Sequence, residues 1–303
     1  MIFFSIILPT FNDLENLKKS IKSVDRQTFK SFELIVVNDG STDKTKEYLK
    51  NLKYSFVKIV NLSKNNGGPA TARNKAIENS SGEWLCFLDS DDFWFENKLE
   101  IMSKSIEANQ IDKKHVYCHN LILKDKKLKN KRRLISGPIQ FSKEYENLLK
   151  IGNKLLLSAT CVNNEFIRDN KIRFNEKRKY VSVEDYDFWL MLSLNDAKFG
   201  FINKFLGIYL KHEKNLTNNI ILHKKNLLYV IHHHVFQLQK FDKNKIKLWK
   251  KLHSKHIIEL IFIYFLRFQN YKIGCYLIYK YYKRYNIVFI SEFFNFIIRK
   301  LKN

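Results

Sequence analysis

Three carboxylates, Asp89, Asp91 and Asp92, stand within four positions of one another at the end of an apolar run, in the stretch "LCFLDSDDFW". Like charges this close repel, and they persist only where a cation or hydrogen bonds offset them. Two arrangements would do so. Asp91 or Asp92 could cap a helix through "FWFENKLE", where the positive end of the helix dipole favours an acid. That accounts for one acid or two. A hard divalent cation, Mg²⁺ or Mn²⁺, held by carboxylate oxygens and bridging to substrate phosphates, accounts for all three. A second acidic pair, Glu184 and Asp185 in "VSVEDYDFW", precedes an amphipathic helix. There an acid is either another cap or a general base brought in from far along the chain. Asp187, two residues on, should point elsewhere once the helix has begun.

Two further clusters have polar chemistry to offer. "NDGSTD" sets the acceptor Asp39 beside Gly40 in a tight turn, a composition that ordinary turns share. "NNGGPATARN" puts two glycines before a helix start, with Arg73 and Asn74 in its first turns. Free N–H groups at such a start attract anions. The loop lacks the GK[ST] of a Walker A motif.

The elements that position these clusters are legible from periodicity. Phe3 to Leu8, Phe32 to Val37, Phe56 to Leu62 and Trp84 to Leu88 are apolar runs of strand length. Helices are expected between them: one capped by Asn12 or Asp13 with Leu14, Leu17, Ile21 and Val24 on one face, one over Lys44 to Leu52, and one from about Ala70. This alternation is that of a doubly wound α/β sheet with helices on both faces, in which ligands sit at the carboxyl ends of the strands. "PTFND", "NDGSTD", "NNGGPATARN" and "DSDD" all follow strands directly, so four clusters converge on one edge. Further on, the pattern predicts a helix from about 98, a strand around His115 to Leu123, a basic turn "KDKKLKNKRR", a helix over 141–151, a strand at Leu155 to Val162 and a helix begun by "VEDYDFWLMLSL". From 222 the chain reads as mostly helical.

At this point the motifs resemble a known family. "SIILPTFNDLENLKKSIKSVDRQTFKSFELIVVNDGSTDKT" is similar to the opening of family 2 glycosyltransferases with the GT-A fold, and "NNGGPATARNKAI", "GEWLCFLDSDDFW" and "VEDYDFWLML" resemble its later blocks in the same order. The resemblance is specific over residues 3 to about 100, extends to about 217 and is absent beyond. It implies that Pro9, Thr10 and Asp39 hold the nucleotide base, usually uracil, and that Arg73 lies near the nucleotide. Asp89, Ser90 and Asp91 match the DxD motif: Asp91 would ligate the metal and Asp89 would face the ribose or the metal. Asp92 would be near the donor sugar. Asp185 is the implied catalytic base, with Glu184 as the alternative. His212 in "IYLKHEKNLT" would approach the diphosphate or metal, and Lys211 stands where an Arg is common, so no bidentate phosphate contact is implied there.

The implied chemistry is an inverting, metal-dependent transfer of a sugar from a nucleotide diphospho-sugar, UDP-linked, to a hydroxyl of a glycan or lipid-linked glycan in surface-polysaccharide or lipooligosaccharide synthesis. One base suffices, because Mn²⁺ or Mg²⁺ rather than a carboxylic acid stabilises the leaving group. The alternatives are a nucleotide-sugar-binding protein without catalysis and a basic nucleic-acid-binding protein.

Composition separates a second region. The 303-residue chain carries a formal charge of +24, and from residue 222 onward 17 Lys/Arg stand against 3 Asp/Glu. The division expected is a catalytic domain over 1–221 and a helical, basic, aromatic region over 222–303. Phrases such as "YLIYKYYKRYNIVFISEFFNFIIRKLKN" interleave Tyr and Phe with Lys and Arg, as helices at an anionic membrane surface do. A plain helical bundle would have the same composition; nucleic acid is not expected, because no RNA-binding motif accompanies the charge. No window has the roughly 18 uncharged apolar residues of a membrane span; Ile257 to Phe268 contains Glu259 and Arg267. Cys86, Cys118, Cys161 and Cys275 form no CxxC pair, and "MIFFSIILPTFND" lacks the basic n-region and small-residue cleavage site expected of a signal peptide. The expectation is therefore a cytoplasmic protein, peripheral on the inner face of the membrane. His232, His233 and His234 fall on three helix faces, and His115 and His119 share a strand face without further ligands, so neither set predicts zinc.

Overall fold

Runs such as "FSIILPT" and "FELIVVN" are apolar without alternation, the pattern of strands covered on both faces. They form β1 (Phe4–Thr10) and β2 (Phe32–Asn38), every residue of which is buried, followed by β3 (Val57–Asn61) and β4 (Trp84–Phe87). All pairings among these four are parallel, in the order β3-β2-β1-β4. The crossovers are α1 (Leu14–Asp25), α2 (Thr45–Lys50) and α3 (Pro69–Glu78). A computed structural model describes residues 2–108, 113–125, 131–137, 143–213, 215–285 and 287–301.

Pro9 explains where β4 leaves the sheet edge. Odd-numbered β1 residues face β4, since Trp84 N–H donates to Phe3 O and Leu88 N–H to Ile7 O; Asp39 N–H donates to Thr10 O on the other side. The next odd position is Pro9, which has no N–H to give. Register with β4 accordingly ends at Ile7↔Phe87, while register with β2 continues to Thr10↔Asn38. The chain after β4 is thus released to turn across the ends of the strands, and Asp89 to Asp92 form that turn.

Beyond β4 the sheet becomes mixed. β5 (Phe93–Trp94), β6 (Val116–Asp125), β7 (Lys131–Leu134), β8 (Thr160–Asn163) and β9 (Phe199–Lys211) complete the order β3-β2-β1-β4-β8-β6-β9-β5, with β7 on β6. β8 is antiparallel to β4 and β6, and β5 is antiparallel to β9. The helices here are α4 (Lys98–Glu107), α5 (Glu144–Ile151), α6 (Asn164–Asp169) and α7 (Glu184–Leu194). Phe4, Ile6, Leu8, Leu34, Val36, Leu17, Ile21 and Leu99 lie in one core cluster with Trp84 and Trp94. Lys98 is wholly buried and sets Nζ 3.6 Å above the Trp94 ring, a cation–π contact inside the core.

The doubly wound α/β arrangement and the helix expected from about 98 match the sequence pattern, and two local expectations do not. The capping alternative, a helix through "FWFENKLE", also fails: Phe93 and Trp94 pair with β9, and α4 starts only after Asn97. Neither Asp91 nor Asp92 therefore caps it. Within Leu155 to Val162, residues 157–159 form a 3-10 turn and the strand begins at Thr160. That turn places Ser158 under the acid loop, where its Oγ accepts from Asp89 N–H at 3.1 Å. β9 has no counterpart among the strands expected from periodicity, although "FGFINKFLGIYLK" is rich in strand-forming aromatics and β-branched residues. Residues 126–130 of the basic turn and 141–142 of the expected helix lie outside the described residues.

The chain divides into two compact units, Met1–Asn218 and Asn219–Asn303. The second consists of α8 (Ile220–His233), α9 (Lys245–Leu266), α10 (Tyr271–Tyr285) and α11 (Ile287–Leu301). Its core joins Ile257, Ile258 and Ile261 of α9 to Leu277, Ile278, Tyr281 and Tyr285 of α10 and Phe289 of α11. Among the described residues no helix is long and apolar enough to cross a membrane.

Candidate active site

β1, β2 and β4 end on one edge, and each delivers polar residues there. Pro9 and Thr10 are buried at the end of β1. Asp39, just past β2, is buried under the loop that precedes α3. Its Oδ2 accepts from Asn65 Nδ2 at 2.9 Å and its Oδ1 from Asn66 Nδ2 at 2.7 Å. Gly40 makes this approach possible: its φ is +69°, and a Cβ would lie 2.4 Å from the backbone carbon of Lys64. Asn12, also left-handed at φ 49°, accepts from Thr42 N–H at 2.8 Å and so joins the β1 loop to the β2 loop.

Arg73 lies inside the molecule rather than on its surface. α3 opens with Pro69 at its first position, and one turn later the Arg73 side chain points inward, 4 % exposed and 5.4 Å from the Phe174 ring. Nη2 donates to Asp89 Oδ1 and Nη1 to Glu184 Oε1, both at 2.7 Å. Burial alone would lower the guanidinium pKa, but Asp89 and Glu184 outweigh it and hold the charge. Glu184 Oε2 and Arg73 Nε are buried without hydrogen-bond partners.

The three acids of "DSDD" do not converge on one point. Asp89 turns to Arg73; burial, then the charges of Asp91 and Glu184, raise its pKa against the guanidinium. Asp92, 1 % exposed, accepts from Leu210 N–H through Oδ1 at 2.9 Å, and burial plus its two acidic neighbours push its pKa well up. Asp91 faces His212: Oδ2 lies 2.8 Å from Nε2 and accepts from Asn215 Nδ2 at 3.0 Å. The β5–β9 pairing creates this meeting, because it runs the residues before Phe93 alongside those after Ile208. Ser20 Oγ on α1 lies 2.7 Å from both Ser90 O and Asp92 O, and Ser90 Oγ lies 3.4 Å from Asp13 Oδ2, so the loop is anchored from below.

Glu184 and Asp185 open α7, where the helix dipole favours both charges. Asp187 is buried and close enough to Tyr145 to help raise that phenol's pKa. Asp185 Oδ2 accepts from Asn153 Nδ2 at 2.9 Å and Oδ1 from Tyr186 N–H at 2.7 Å. Burial, followed by the charge of Glu184, pushes its pKa up to about 7. A carboxyl titrating near neutrality is suited to taking a proton.

Among the described residues, no three His, Cys, Asp or Glu side chains converge as a metal-ligand set. The Asp91–His212 pair nevertheless fits a divalent cation. His212 Nε2 and Asp91 Oδ2, 2.8 Å apart, bring together one imidazole nitrogen and one carboxylate oxygen, the donor types such a cation takes. A site with few protein ligands is also what cations that bridge to phosphates use. Several residues that shape this edge carried no signal in the sequence: Ser20, Asn153, Ser158 and Asn215 act through contacts set by the tertiary fold.

In an α/β sheet of this kind ligands bind in the crevice at the carboxyl ends of the strands, the edge at which these acids lie. Residues 5–167 match the family model for Glycosyl transferase family 2, over half of the chain, and the chain belongs to that family. An uncharacterized glycosyltransferase of Rickettsia bellii is 47% identical over 105 residues, 35% of this chain and 15% of that relative. The chain thus spans about a seventh of that relative's length. Among solved structures, S. aureus TarS 1-349 in complex with UDP-GlcNAc gives a TM-score of 0.64 at 24% identity, covering 84% of this chain and 72% of that one. The mannosyltransferase PcManGT from Pyrobaculum calidifontis, in complex with GDP-Man and Mn²⁺, gives 0.59 at 13% identity, covering 98% of this chain and 86% of that one. Likeness at these identities is likeness of fold.

Proposed function

We propose that this chain is an inverting, metal-dependent glycosyltransferase that moves a sugar from a UDP-linked donor to a hydroxyl of a glycan or lipid-linked glycan. The observation that carries the reading is one edge holding both a cation-ready pair, Asp91 and His212, and a carboxylate poised near neutrality, Asp185. TarS, solved with UDP-GlcNAc, and PcManGT, solved with GDP-Man and Mn²⁺, support a nucleotide-sugar donor and a divalent cation.

In this reading Pro9, Thr10 and Asp39 hold the nucleotide base, and Asp89 and Ser90 border the ribose and donor sugar; Asp92, 1 % exposed, does not reach the donor sugar and instead ties the loop to β9 through Leu210 N–H. Asp91 and His212 hold Mn²⁺ or Mg²⁺. When bound, the cation offsets the charge that develops on the departing diphosphate. Asp185 takes the proton of the acceptor hydroxyl, whose oxygen attacks the anomeric carbon opposite the nucleoside diphosphate, so the configuration inverts. Glu184 is less suited to that task, because its Oε1 is committed to Arg73. It positions the guanidinium instead.

The helical region, 222–303, would carry this activity to the anionic inner face of the cytoplasmic membrane. α10 supports that role. Its inner face packs into the core, while its outer face shows Tyr276, Tyr279 and Tyr282 together with exposed Lys272, Lys280 and Lys283. No acid lies on α10, and of the region's three acids Glu259 is paired with Lys224 and Glu292 is buried. Tyrosines among lysines suit headgroup depth.

A panel of UDP- and GDP-sugars with Mn²⁺, assayed for release of the free nucleotide, tests the proposal. Release of UDP from at least one donor is expected. Release of GDP alone would reassign the nucleotide, and release from none would overturn the activity.

A further inference from the structure

Asp91 Oδ2 is held from two sides. His212 Nε2 lies 2.8 Å away, and Asn215 Nδ2 donates to the same oxygen at 3.0 Å. Asn215 also holds the histidine: His212 N–H donates to Asn215 Oδ1 at 2.6 Å. That bond fixes which way round the carboxamide sits, because the oxygen must face the His212 backbone and the Nδ2 must face Asp91. Asn215 Nδ2 reaches Leu210 O at 3.3 Å as well, which ties the amide to the end of β9.

A second asparagine supports the turn without touching the acid. Asn218 N–H donates to Asn215 O at 3.0 Å, and its Nδ2 donates to His212 O and Glu213 O, each at 2.8 Å. Two asparagines thus build one turn, and only Asn215 makes contact with Asp91. The contact has a physical purpose. Asp91 is partly exposed, 19 % for its side chain, in a chain of formal charge +24. Without an anchor, its carboxylate would be free to rotate toward whichever cationic side chain comes near.

We infer that Asn215 is a positioning residue for the divalent cation: its carboxamide sets Asp91 Oδ2 and, through the backbone, the His212 imidazole in one geometry before the cation arrives. The inference rests on the proposed metal site at Asp91 and His212. Groups that orient metal ligands commonly change metal affinity by about 10–100-fold when removed.

The test is Mn²⁺ binding to the full chain in the presence of UDP, read from the electron paramagnetic resonance of free Mn²⁺. Asn215→Ala is expected to weaken binding by about 10–100-fold, while Asn218→Ala, which loses only the turn's support, keeps wild-type affinity. Turnover by the Asn215→Ala protein should recover when Mn²⁺ is raised, which a misfolded loop would not allow. Unchanged Mn²⁺ affinity in Asn215→Ala overturns the inference. So does equal weakening in both variants, since integrity of the turn would then be the cause. Failure of the wild-type protein to bind Mn²⁺ would overturn the metal site itself, and this inference with it.

Discussion

Arg73 and Glu184, 111 positions apart in the chain, form a buried ion pair with Nη1 2.7 Å from Oε1. The same guanidinium reaches Asp89, so α3, the end of β4 and the start of α7 meet on one side chain. The acid loop after β4 and the acidic start of α7 are therefore held in register by a charge with almost no access to water.

Removing that charge leaves buried Glu184 and partly exposed Asp89 without their counter-ion. Breaking a buried pair from one side costs about 3–5 kcal/mol, so Arg73→Met should lower the urea midpoint by a corresponding amount. Arg73→Lys should recover only part of the loss, because a single ammonium cannot present the planar fork that reaches both carboxylates. Urea midpoints equal to wild type in both variants would contradict the bridging role.

Asp185 gives the pH dependence its sign. Its pKa is raised from 3.8 to about 7 by burial and then by Glu184, so the group is increasingly protonated below neutrality. If it is the base, kcat/KM rises about tenfold per pH unit below 7 and levels above it. The same raised pKa means that ionised Asp185 costs stability, progressively from about pH 4 to about pH 7. Asp185→Asn should therefore lose about 100-fold or more in transfer, keep UDP binding, and melt higher than wild type at pH 8. An acid limb that survives in Asp185→Asn would move the base elsewhere.

The α10 face predicts a lipid preference. Each Lys or Arg near an anionic surface contributes about 1 kcal/mol, so Lys272→Gln, Lys280→Gln and Lys283→Gln together should weaken flotation with phosphatidylglycerol vesicles about 100-fold. UDP binding should be unaffected. Undiminished flotation would place the anchor elsewhere, and loss of RNA retention in place of vesicle binding would make the partner a nucleic acid.

The parts of this molecule that follow local rules are legible in the sequence. β1 and β2 announce themselves as apolar runs, and Asp39 and the "DSDD" turn follow strands where the strand-end rule expects ligand chemistry. What could not be read depends on pairing between distant segments. The resemblance placed His212 near the metal with Asp91, but the β5–β9 pairing that brings the two together, and Asn215 with them, had no signal in the sequence. The acids also divide in a way no spacing reveals: Asp89 is drawn off by Arg73 and Asp92 by Leu210 N–H, which leaves Asp91 alone with a histidine and an asparagine. A rule that counts carboxylates finds three ligands where the geometry offers one.

Asp91, in the proposed reaction, would hold a cation that supports binding of the donor's diphosphate. Calorimetric titration of UDP into the full chain, with Mn²⁺ and then with excess chelator, tests this most directly. Tight binding is predicted in Mn²⁺, and at least about tenfold weaker binding after chelation. In Asp91→Ala, binding should be equally weak in both conditions. UDP affinity that ignores both Mn²⁺ and the Asp91 substitution would contradict it.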